Sequence, residues 1–295
     1  MVGTSFFAVR SRKLAALLQA LSPGQIDTWY AFTEPDAGSD LASLQSQAVK
    51  DKDGFILNGQ KTFIGGPQHV DYIFTLAITD PQAPRHQNLS AFVVKADTPG
   101  ISMTPLLPIG RTSVKNTIYF KDVRVPAENL IGELNKGWKV ANATLRGERQ
   151  AWGQWFRLSN LLEEFIDYCK RTKKKGMPLT DDPCVQQSLT DLYLEIKIWD
   201  MMDSRLKWML RKDLPITYEV FLQDLHIKTL LSKSASWLLD IAGPQALVAD
   251  KELAILKGKV EDFQRSSIGT HGHGTPEIQR LMIARAIGLP SPKRR

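Results

Sequence analysis

The segment from Thr33 to Asp40, TEPDAGSD, groups hydroxyls, carboxylates and a glycine directly after an aromatic run. Trp29, Tyr30 and Phe32 favour a β-strand, and Pro35 ends regular strand pairing. The glycine permits a turn that exposes backbone N–H groups, which suits an anionic or heteroaromatic ligand. An ordinary capped turn has the same composition and is the favoured interpretation on these residues alone.

Two further segments carry groups suited to acid–base chemistry. Glu148 precedes Arg149 in LRGERQAW, within a helical pattern, and both side chains are ionisable. On this pattern alone, a solvent-facing glutamate in a surface ion pair is the favoured interpretation. His273 lies in the glycine-rich HGHGTPEIQR, where a packing or hydrogen-bonding role is favoured over catalysis.

Between about residues 27 and 126 the sequence predicts strands. Short apolar or alternating runs, such as YIFTLAITD and NTIYFKDVRVP, are separated by Gly, Pro, Asp and Asn. KDKDGF and LNGQK bracket FIL with turn residues, as a hairpin would. The region is therefore predicted to be a β-barrel-like domain.

After Pro126 the apolar spacing becomes helical and predicts four helices. Pro183 begins one of them, and Thr275-Pro276-Glu277 supplies a cap, a first-turn proline and an acidic N-terminus for another. The predicted fold class is α+β, with the β domain followed by an antiparallel four-helix bundle. We predict domains at residues 1–26, 27–126 and 127–295, with an amphipathic helix in the first.

The composition of the chain argues against several classes of function. The 295 residues are 43% hydrophobic and 23% charged, with no apolar run near the roughly 18 residues of a membrane span. The net charge of +7 comes without a nucleic-acid motif, so nucleic-acid binding is not predicted, and the basic run 170–175 is interpreted as a solvated helix end. Two cysteines give neither a disulfide framework nor a metal cluster, and they favour a reducing, cytoplasmic location.

Several segments in the same order resemble the acyl-CoA dehydrogenase family: TEPDAGSDLASL, FILNGQKTFI, DTPGI, FKDVRVPAENLIGELNKGW and GTPEIQRLMIAR. The resemblance implies bound FAD and an acyl-CoA substrate. In that chemistry the flavin takes a hydride from the substrate β-carbon while a carboxylate removes the α-proton. It also implies an electron-transfer flavoprotein or similar acceptor, and a homo- or hetero-oligomer, dimer or tetramer.

The resemblance assigns site residues. Ser39 and Arg149 are expected to bind the acyl-CoA. Gly65 replaces a residue that commonly carries a hydroxyl, so one flavin hydrogen bond is expected to be missing unless backbone replaces it. The expected flavin contacts are Tyr30, Phe32, Thr33, Ser39, Phe63, Gly65, Thr275 and Glu277.

The resemblance also offers two positions for the catalytic base. Many members place a glutamate directly before the GT of the last motif, where this chain has His273. Others place it on the first bundle helix before an arginine, which matches Glu148 and Arg149. Glu148 is therefore the predicted base.

Three departures from the family pattern matter. Only Met1 to Gly24 precede the β region, and they resemble the tail of an N-terminal helical domain, which suggests truncation or a partner subunit. The Arg-x-Phe-Gly that grips flavin pyrophosphate is absent, and Gly243-Pro244 replaces a glycine pair. These features resemble a divergent bacterial branch that acts on bulky substrates such as steroid side chains and ring acids. A non-catalytic subunit and a flavin monooxygenase of the same fold are the alternatives, and Glu148 weighs against the latter.

Overall fold

The computed structural model describes residues 26–65, 70–110, 114–149, 154–267, 272 and 274–290. They separate into two compact units. The first contains eight strands and one helix, and the second contains the remaining five helices and a two-stranded ribbon. The predicted N-terminal helix lies outside the described residues, and the predicted domain limits stay predictions.

The first unit is built on one mixed sheet in the order β6-β7-β3-β2-β4-β5-β8, with β1 parallel to β4. Most other pairings are antiparallel, as short strands separated by turn residues predict. The strands are β1 Thr28–Ala31, β2 Gln47–Asp51, β3 Gly54–Gly65, β4 Tyr72–Ile78, β5 Leu89–Lys95, β6 Ile101–Leu106, β7 Lys115–Pro126 and β8 Leu130–Ile131.

The predicted hairpin around FIL is half correct. Asp51 pairs with Gly54 across a two-residue turn, as KDKDG predicts. The second turn signal, at Gly59, is not a turn, because β3 continues and only its pairing with β7 shifts register there. A side chain at Gly59 would place its Cβ 2.2 Å from the Ser46 Oγ. The glycine therefore serves a close approach of two chain segments, which turn propensity cannot distinguish from a turn.

Strand alternation gives the sheet two apolar clusters. Trp29 and Ala31 pack with Ile73 and Phe92 in one cluster. Phe32 packs with Phe74, Leu76 and Leu89 in the other, because successive side chains of a strand point to opposite faces. The end of β1 is thus fixed from both sides.

Helix α1 (Gly137–Arg149) packs on strand β5 of the first unit. A Cβ at Gly137 would lie 2.6 Å from the Ser90 carbonyl carbon, so only glycine permits this approach. The Asn135 N–H donates to Ser90 Oγ at 2.8 Å, and Thr79 Oγ1 donates to Asn135 Oδ1 at 2.5 Å. Ala141 completes the packing as a buried residue one turn into the helix. The start of α1 is therefore rigidly placed on the sheet.

The second unit is helical. Its core contains Leu158, Phe165, Leu192, Ile227 and Leu238, all nearly inaccessible to solvent. The predicted α+β class is confirmed, but the described part of the chain has six α-helices rather than four. The helices of this unit are α2 Gln154–Arg171, α3 Pro183–Arg211, α4 Glu219–Ala242, α5 Lys259–Ser267 and α6 Pro276–Ala286, and the ribbon is β9 Lys173–Lys174 with β10 Met177–Pro178.

The difference in helix number has two sources. The predicted first helix corresponds to α1 and α2, of which α1 groups with the sheet. Helix α5 has only nine residues and a polar sequence, so its apolar period is too short to recognise. None of the described helices combines the length and the hydropathy that a membrane crossing needs.

Candidate functional site

The TEPDAGSD segment forms a tight turn at the end of β1. The Glu34 N–H donates to the Ala37 carbonyl at 3.0 Å, and the Ala37 N–H donates to the Glu34 carbonyl at 3.1 Å. Asp40 follows, accepts a hydrogen bond from the Ser43 hydroxyl at 2.6 Å, and pairs with Arg85. The turn is thus closed by its own backbone and fastened at its far end.

A buried ion pair anchors this turn to the sheet. Lys61, on β3, is fully buried, and its Nζ donates to Glu34 Oε1 at 2.7 Å. The same ammonium donates to the Leu76 carbonyl at 2.8 Å and to the Phe32 carbonyl at 3.4 Å. The other carboxylate oxygen of Glu34 accepts from the Gln45 N–H at 2.5 Å. One lysine therefore joins the end of β1 to β3 and β4.

Burial and charge act in opposite directions on this pair. Burial lowers the pKa of Lys61 to about 8, although the Glu34 charge and hydrogen bond act to raise it. Burial alone would raise the pKa of Glu34, but the Lys61 charge and the hydrogen bonds from Lys61, Ser46 and Gln45 hold that pKa below its ordinary value. Glu34 is therefore firmly ionised at neutral pH.

Thr33 lies beside β3 with a free hydroxyl. The Thr62 N–H donates to the Thr33 carbonyl at 2.9 Å, and the hydroxyls of Thr62 and Thr117 are 3.1 Å apart. Within the described residues the half-buried Thr33 hydroxyl has no hydrogen-bond partner, and the same holds for the exposed Ser39 hydroxyl. Both hydroxyls are available to a ligand.

The rings of Tyr30 and Phe32, just before the turn, pack on Phe74. Phe32 is 5% exposed, and its ring meets Phe74 edge-on at 5.1 Å. The half-buried Tyr30 ring lies 5.7 Å from the same Phe74. The Phe32 ring is thus a core group, while a flavin contact by Tyr30 or by the Phe32 backbone stays a prediction.

Phe63 has an unusual conformation for an aromatic residue. Its φ is 58°, in the left-handed region, and its side chain is 66% exposed. The pairing of β3 with β7 shifts register between Lys61 and Ile64, so Phe63 lies in a β-bulge. A left-handed non-glycine residue costs about 1–2 kcal/mol and is enriched at functional sites. An exposed ring held at that cost is a candidate ligand contact.

Gly65, two residues later, faces strand β7. It pairs with Lys115, and a Cβ on Gly65 would lie 2.3 Å from the Lys115 Nζ. The neighbouring pair joins Ile64 to Asn116. Asn116 is 8% exposed, and its buried Nδ2 has no hydrogen-bond partner among the described residues. This end of the β3–β7 pair therefore contains a glycine that is covered by a lysine side chain. It also contains a buried side-chain N–H group without an acceptor among the described residues.

Thr275 and Glu277 begin helix α6 in the second unit. Thr275 is the N-cap and accepts a hydrogen bond from the Ile278 N–H at 3.3 Å, as the sequence predicts. Hydrogen bonds from its own backbone and from Thr275 lower the pKa of the exposed Glu277. Both residues thus cap the helix, and their contact with a flavin stays a prediction.

The two predicted base positions are described differently. Glu148 and Arg149 form the last turn of α1, and their side chains lie outside the described ones. His273 lies outside the described residues. The assignment of Glu148 as base stays a prediction.

A second buried ion pair was not predicted from the sequence. Lys228 and Asp224, one turn apart on α4, are 3% and 2% exposed at their side chains and 2.9 Å from each other. Lys228 Nζ also donates to the Gly272 carbonyl at 2.8 Å and to the Gly274 carbonyl. Neither this pair nor Lys61 has a sequence signal, because a lysine in an amphipathic pattern is normally assigned to the surface.

Comparison with known proteins agrees with this architecture. The model of the acyl-CoA dehydrogenase middle domain matches residues 30–123, and that of the acyl-CoA dehydrogenase C-terminal domain matches residues 135–288. Acyl-CoA dehydrogenase FadE29 of Mycobacterium tuberculosis is 30% identical over 280 residues, which cover 94% of this chain and 71% of FadE29.

Two solved structures are similar over nearly the whole chain. The Tcur3481-Tcur3483 steroid ACAD has a TM-score of 0.90 at 27% identity, covering 99% of this chain and 76% of that chain. The ChsE4-ChsE5 complex from Mycobacterium tuberculosis has a TM-score of 0.89 at 28% identity, with the same coverage of 99% and 76%. With both domain models matched in order and a relative alike along most of its length, the chain belongs to the acyl-CoA dehydrogenase family.

Proposed function

We propose that this chain catalyses FAD-dependent α,β-dehydrogenation of an acyl-CoA thioester to the 2-enoyl-CoA, with Glu148 as the α-proton base. The observation that carries the proposal is the pairing of Thr33 with the bulge on β3. The Thr62 N–H reaches the Thr33 carbonyl at 2.9 Å, and the exposed, left-handed Phe63 follows directly. A free hydroxyl and a bare aromatic ring are thereby presented by adjacent chain segments.

The residues at this edge fit a flavin. Phe63 offers an exposed ring for stacking, and Thr33 offers a hydroxyl without a hydrogen-bond partner among the described residues. FAD held there would accept the hydride that leaves the substrate β-carbon. Tyr30 supports the same edge by packing on Phe74, and the Glu34–Lys61 pair keeps the turn in place.

Removal of the α-proton is assigned to Glu148. A thioester α-proton is a weak acid, so the base must be held close to one carbon and the developing enolate oxygen must be hydrogen-bonded. Gly137 and Asn135 fix the start of α1, the helix that carries Glu148, on strand β5. A short rigid helix can provide the required precision.

Substrate binding is assigned to Ser39 and Arg149. The exposed Ser39 hydroxyl is available to the acyl-CoA, and Arg149 next to the base would bind a CoA phosphate through its planar guanidinium. Because one similar solved structure is a steroid ACAD, we infer a bulky thioester rather than a short linear one. Electrons would leave through an electron-transfer flavoprotein or a similar acceptor.

We further propose that the chain works in an oligomer. Helix α3 exposes Leu194, Ile198, Met201 and Trp208 by 52%, 44%, 72% and 53%. Their spacing of four, three and seven residues places them along one stripe. An exposed apolar stripe of this length is typical of an interface, and the ChsE4-ChsE5 relative is a complex of two named proteins.

A non-catalytic subunit of a heteromeric acyl-CoA dehydrogenase is the second candidate. Gly65 favours it, because the position lacks the side-chain hydroxyl that the family commonly directs at the flavin. A flavin monooxygenase of the same fold is less supported, since the Glu148–Arg149 pair has no role in oxygen activation. Flavin reduction by a substrate separates the first two candidates.

The decisive experiment is stopped-flow flavin reduction under anaerobic conditions, with acyl-CoAs that include steroid side-chain thioesters. Glu148→Gln keeps the shape of the side chain but cannot accept a proton, so reduction should slow by at least about 100-fold while FAD stays bound. Glu133→Gln, which changes an exposed glutamate just before α1, is the matched control and should react like the wild type.

Each outcome has a clear meaning. If Glu148→Gln and the wild type are reduced at similar rates, Glu148 is not the base. If no acyl-CoA reduces the flavin of the wild type, the non-catalytic subunit is the better assignment. Partial rescue by adding His273→Glu to Glu148→Gln would support the assignment, because the family places its base at either position.

A further inference from the structure

The side chain of Lys115 covers Gly65. The two residues are direct partners across the antiparallel β3–β7 pair, so their side-chain directions share one face of the sheet. A Cβ built on Gly65 would lie 2.3 Å from the Lys115 Nζ and 3.4 Å from its Cδ and Cε. The lysine therefore folds its stem across the strand and places its ammonium where a side chain at position 65 would begin.

This ammonium has no internal task in the described part of the chain. No hydrogen bond or ion pair joins Lys115 to another described residue, although its side chain is half-buried. Lys61, on the neighbouring strand segment, is by contrast fully engaged by one carboxylate and two carbonyls. A half-buried cation without a partner in the described part of the chain indicates a missing acceptor.

We propose that Lys115 is a flavin-binding residue that replaces, from the opposite strand, the hydroxyl missing at Gly65. This rests on the proposed function, since it requires FAD at the edge formed by Thr33 and Phe63. A glycine at position 65 leaves room for this ammonium, because any larger residue there would displace it. Compared with the family pattern, the proposed donor comes from β7 instead of β3, and it is positively charged instead of neutral.

The change of charge has a measurable consequence. A hydroxyl is a neutral donor, whereas an ammonium also stabilises negative charge that develops in the isoalloxazine ring. Lys115 should therefore favour states in which the ring is anionic. Sulfite provides such a state: its sulfur lone pair adds to N5 of oxidised flavin, forms an N–S bond and leaves negative charge in the ring without an external oxidant or reductant.

The test titrates sulfite into FAD-loaded wild-type protein and follows loss of the flavin absorbance. Lys115→Met keeps the length of the stem and removes the charge, so the sulfite dissociation constant should rise by on the order of tenfold. Lys115→Arg keeps the charge and should stay within about threefold of the wild type. Lys121→Met, an exposed lysine six residues along the same strand, is the matched control and should leave sulfite binding unchanged.

A double variant tests the replacement directly. Gly65→Thr with Lys115→Met restores a hydroxyl and removes the obstructing ammonium, so FAD affinity should recover relative to Lys115→Met alone while sulfite affinity stays low. Gly65→Thr alone should lower sulfite affinity, because its Cβ would displace the Lys115 ammonium from the flavin.

The outcomes separate this inference from the proposed function. If the wild type binds FAD and Lys115→Met leaves both sulfite and FAD affinity unchanged, Lys115 does not contact the flavin and only this inference falls. If the wild type binds no FAD in a fluorescence titration, the proposed function falls together with it. If Lys115→Met and Lys121→Met weaken sulfite binding equally, the effect is general surface charge and the inference is wrong.

Discussion

The two units of the molecule each contain a buried lysine–carboxylate pair, and the two pairs are built differently. Lys61 and Glu34 lie 27 residues apart, and the carboxylate itself belongs to the turn that is held. Lys228 and Asp224 lie one turn apart on α4, and Lys228 holds a different segment through the Gly272 and Gly274 carbonyls. Both lysines immobilise a loop that carries a family motif.

The difference between the two ion pairs shows what the buried charges contribute to each unit. In the sheet unit the ion pair is itself the tertiary contact, because Glu34 accepts from Lys61, Gln45 and Ser46 at once. In the helical unit Asp224 compensates the charge of Lys228 locally, and the lysine makes the tertiary contact. We therefore expect loss of the first pair to affect the whole unit and loss of the second to affect one loop.

The largest effect is expected from Lys61→Met. It strands the Glu34 carboxylate, which is 7% exposed at its side chain, without its counter-charge. Breaking a buried pair from one side costs about 3–5 kcal/mol, so the free energy of unfolding should fall by that amount in urea denaturation.

The control for this prediction is Lys95→Met. Lys95 pairs with Asp97 at 2.7 Å in the same unit, but both side chains are largely exposed. Its loss should leave the urea midpoint nearly unchanged, because surface ion pairs contribute little. Equal effects of the two substitutions would show that burial is not what makes the Lys61 pair important.

A smaller, local effect is expected from Asp224→Asn combined with Lys228→Met. The double variant removes both charges of the pair together and takes away the anchor of the Gly272 and Gly274 carbonyls. Gly272 is exposed and can turn to water, so the loss should be about 1–3 kcal/mol. Hydrogen exchange should accelerate at the start of α6 and stay unchanged in the sheet.

The matching control is Asp203→Asn with Lys207→Met on α3. These residues have the same spacing of four, at 2.5 Å, but the lysine is 61% exposed. Exchange at the start of α6 should not respond to this change. An equal acceleration there, or one spread evenly over the second unit, would contradict the anchoring role of Lys228.

The pH dependence of stability gives a third test. The pKa of Glu34 is held below its ordinary value of 4.5 in the folded chain. Its contribution is therefore complete above the unfolded pKa and is lost as the pH falls through the folded one, with a slope of up to about 1.4 kcal/mol per pH unit. Urea midpoints between pH 7 and pH 3 should fall more steeply for the wild type than for Glu34→Gln, and parallel curves would contradict the role of this carboxylate.

The smallest effect is expected from Thr275→Ala. It removes the N-cap of α6, where Thr275 accepts from the Ile278 N–H. Such a cap contributes about 1 kcal/mol. Thr275→Ser retains the hydroxyl and is the control, so a loss of thermal stability by both variants alike would point to the methyl group instead of the cap.

Local signals in the sequence predicted much of the fold. The alternation in YIFTLAITD and NTIYFKDVRVP gives strands β4 and β7, and the acidic residue before Pro183 gives the start of α3, where Asp182 accepts from the Cys184 N–H. The Asn58-Gly59 signal misled because turns and bulges use the same residues. The family motifs identified the segments at the candidate site, since those segments are contiguous in the chain.

The sequence by itself determined the α+β class, the order of elements, the family and the segments that carry the candidate chemistry, because each is written in residues close together along the chain. Only the tertiary structure decided that Lys61 and Lys228 are buried, that Phe63 is left-handed in a bulge, and that Lys115 lies over Gly65. These features depend on which strands and helices meet. The sequence around a lysine does not show whether its neighbour in space is water, a carboxylate or a glycine.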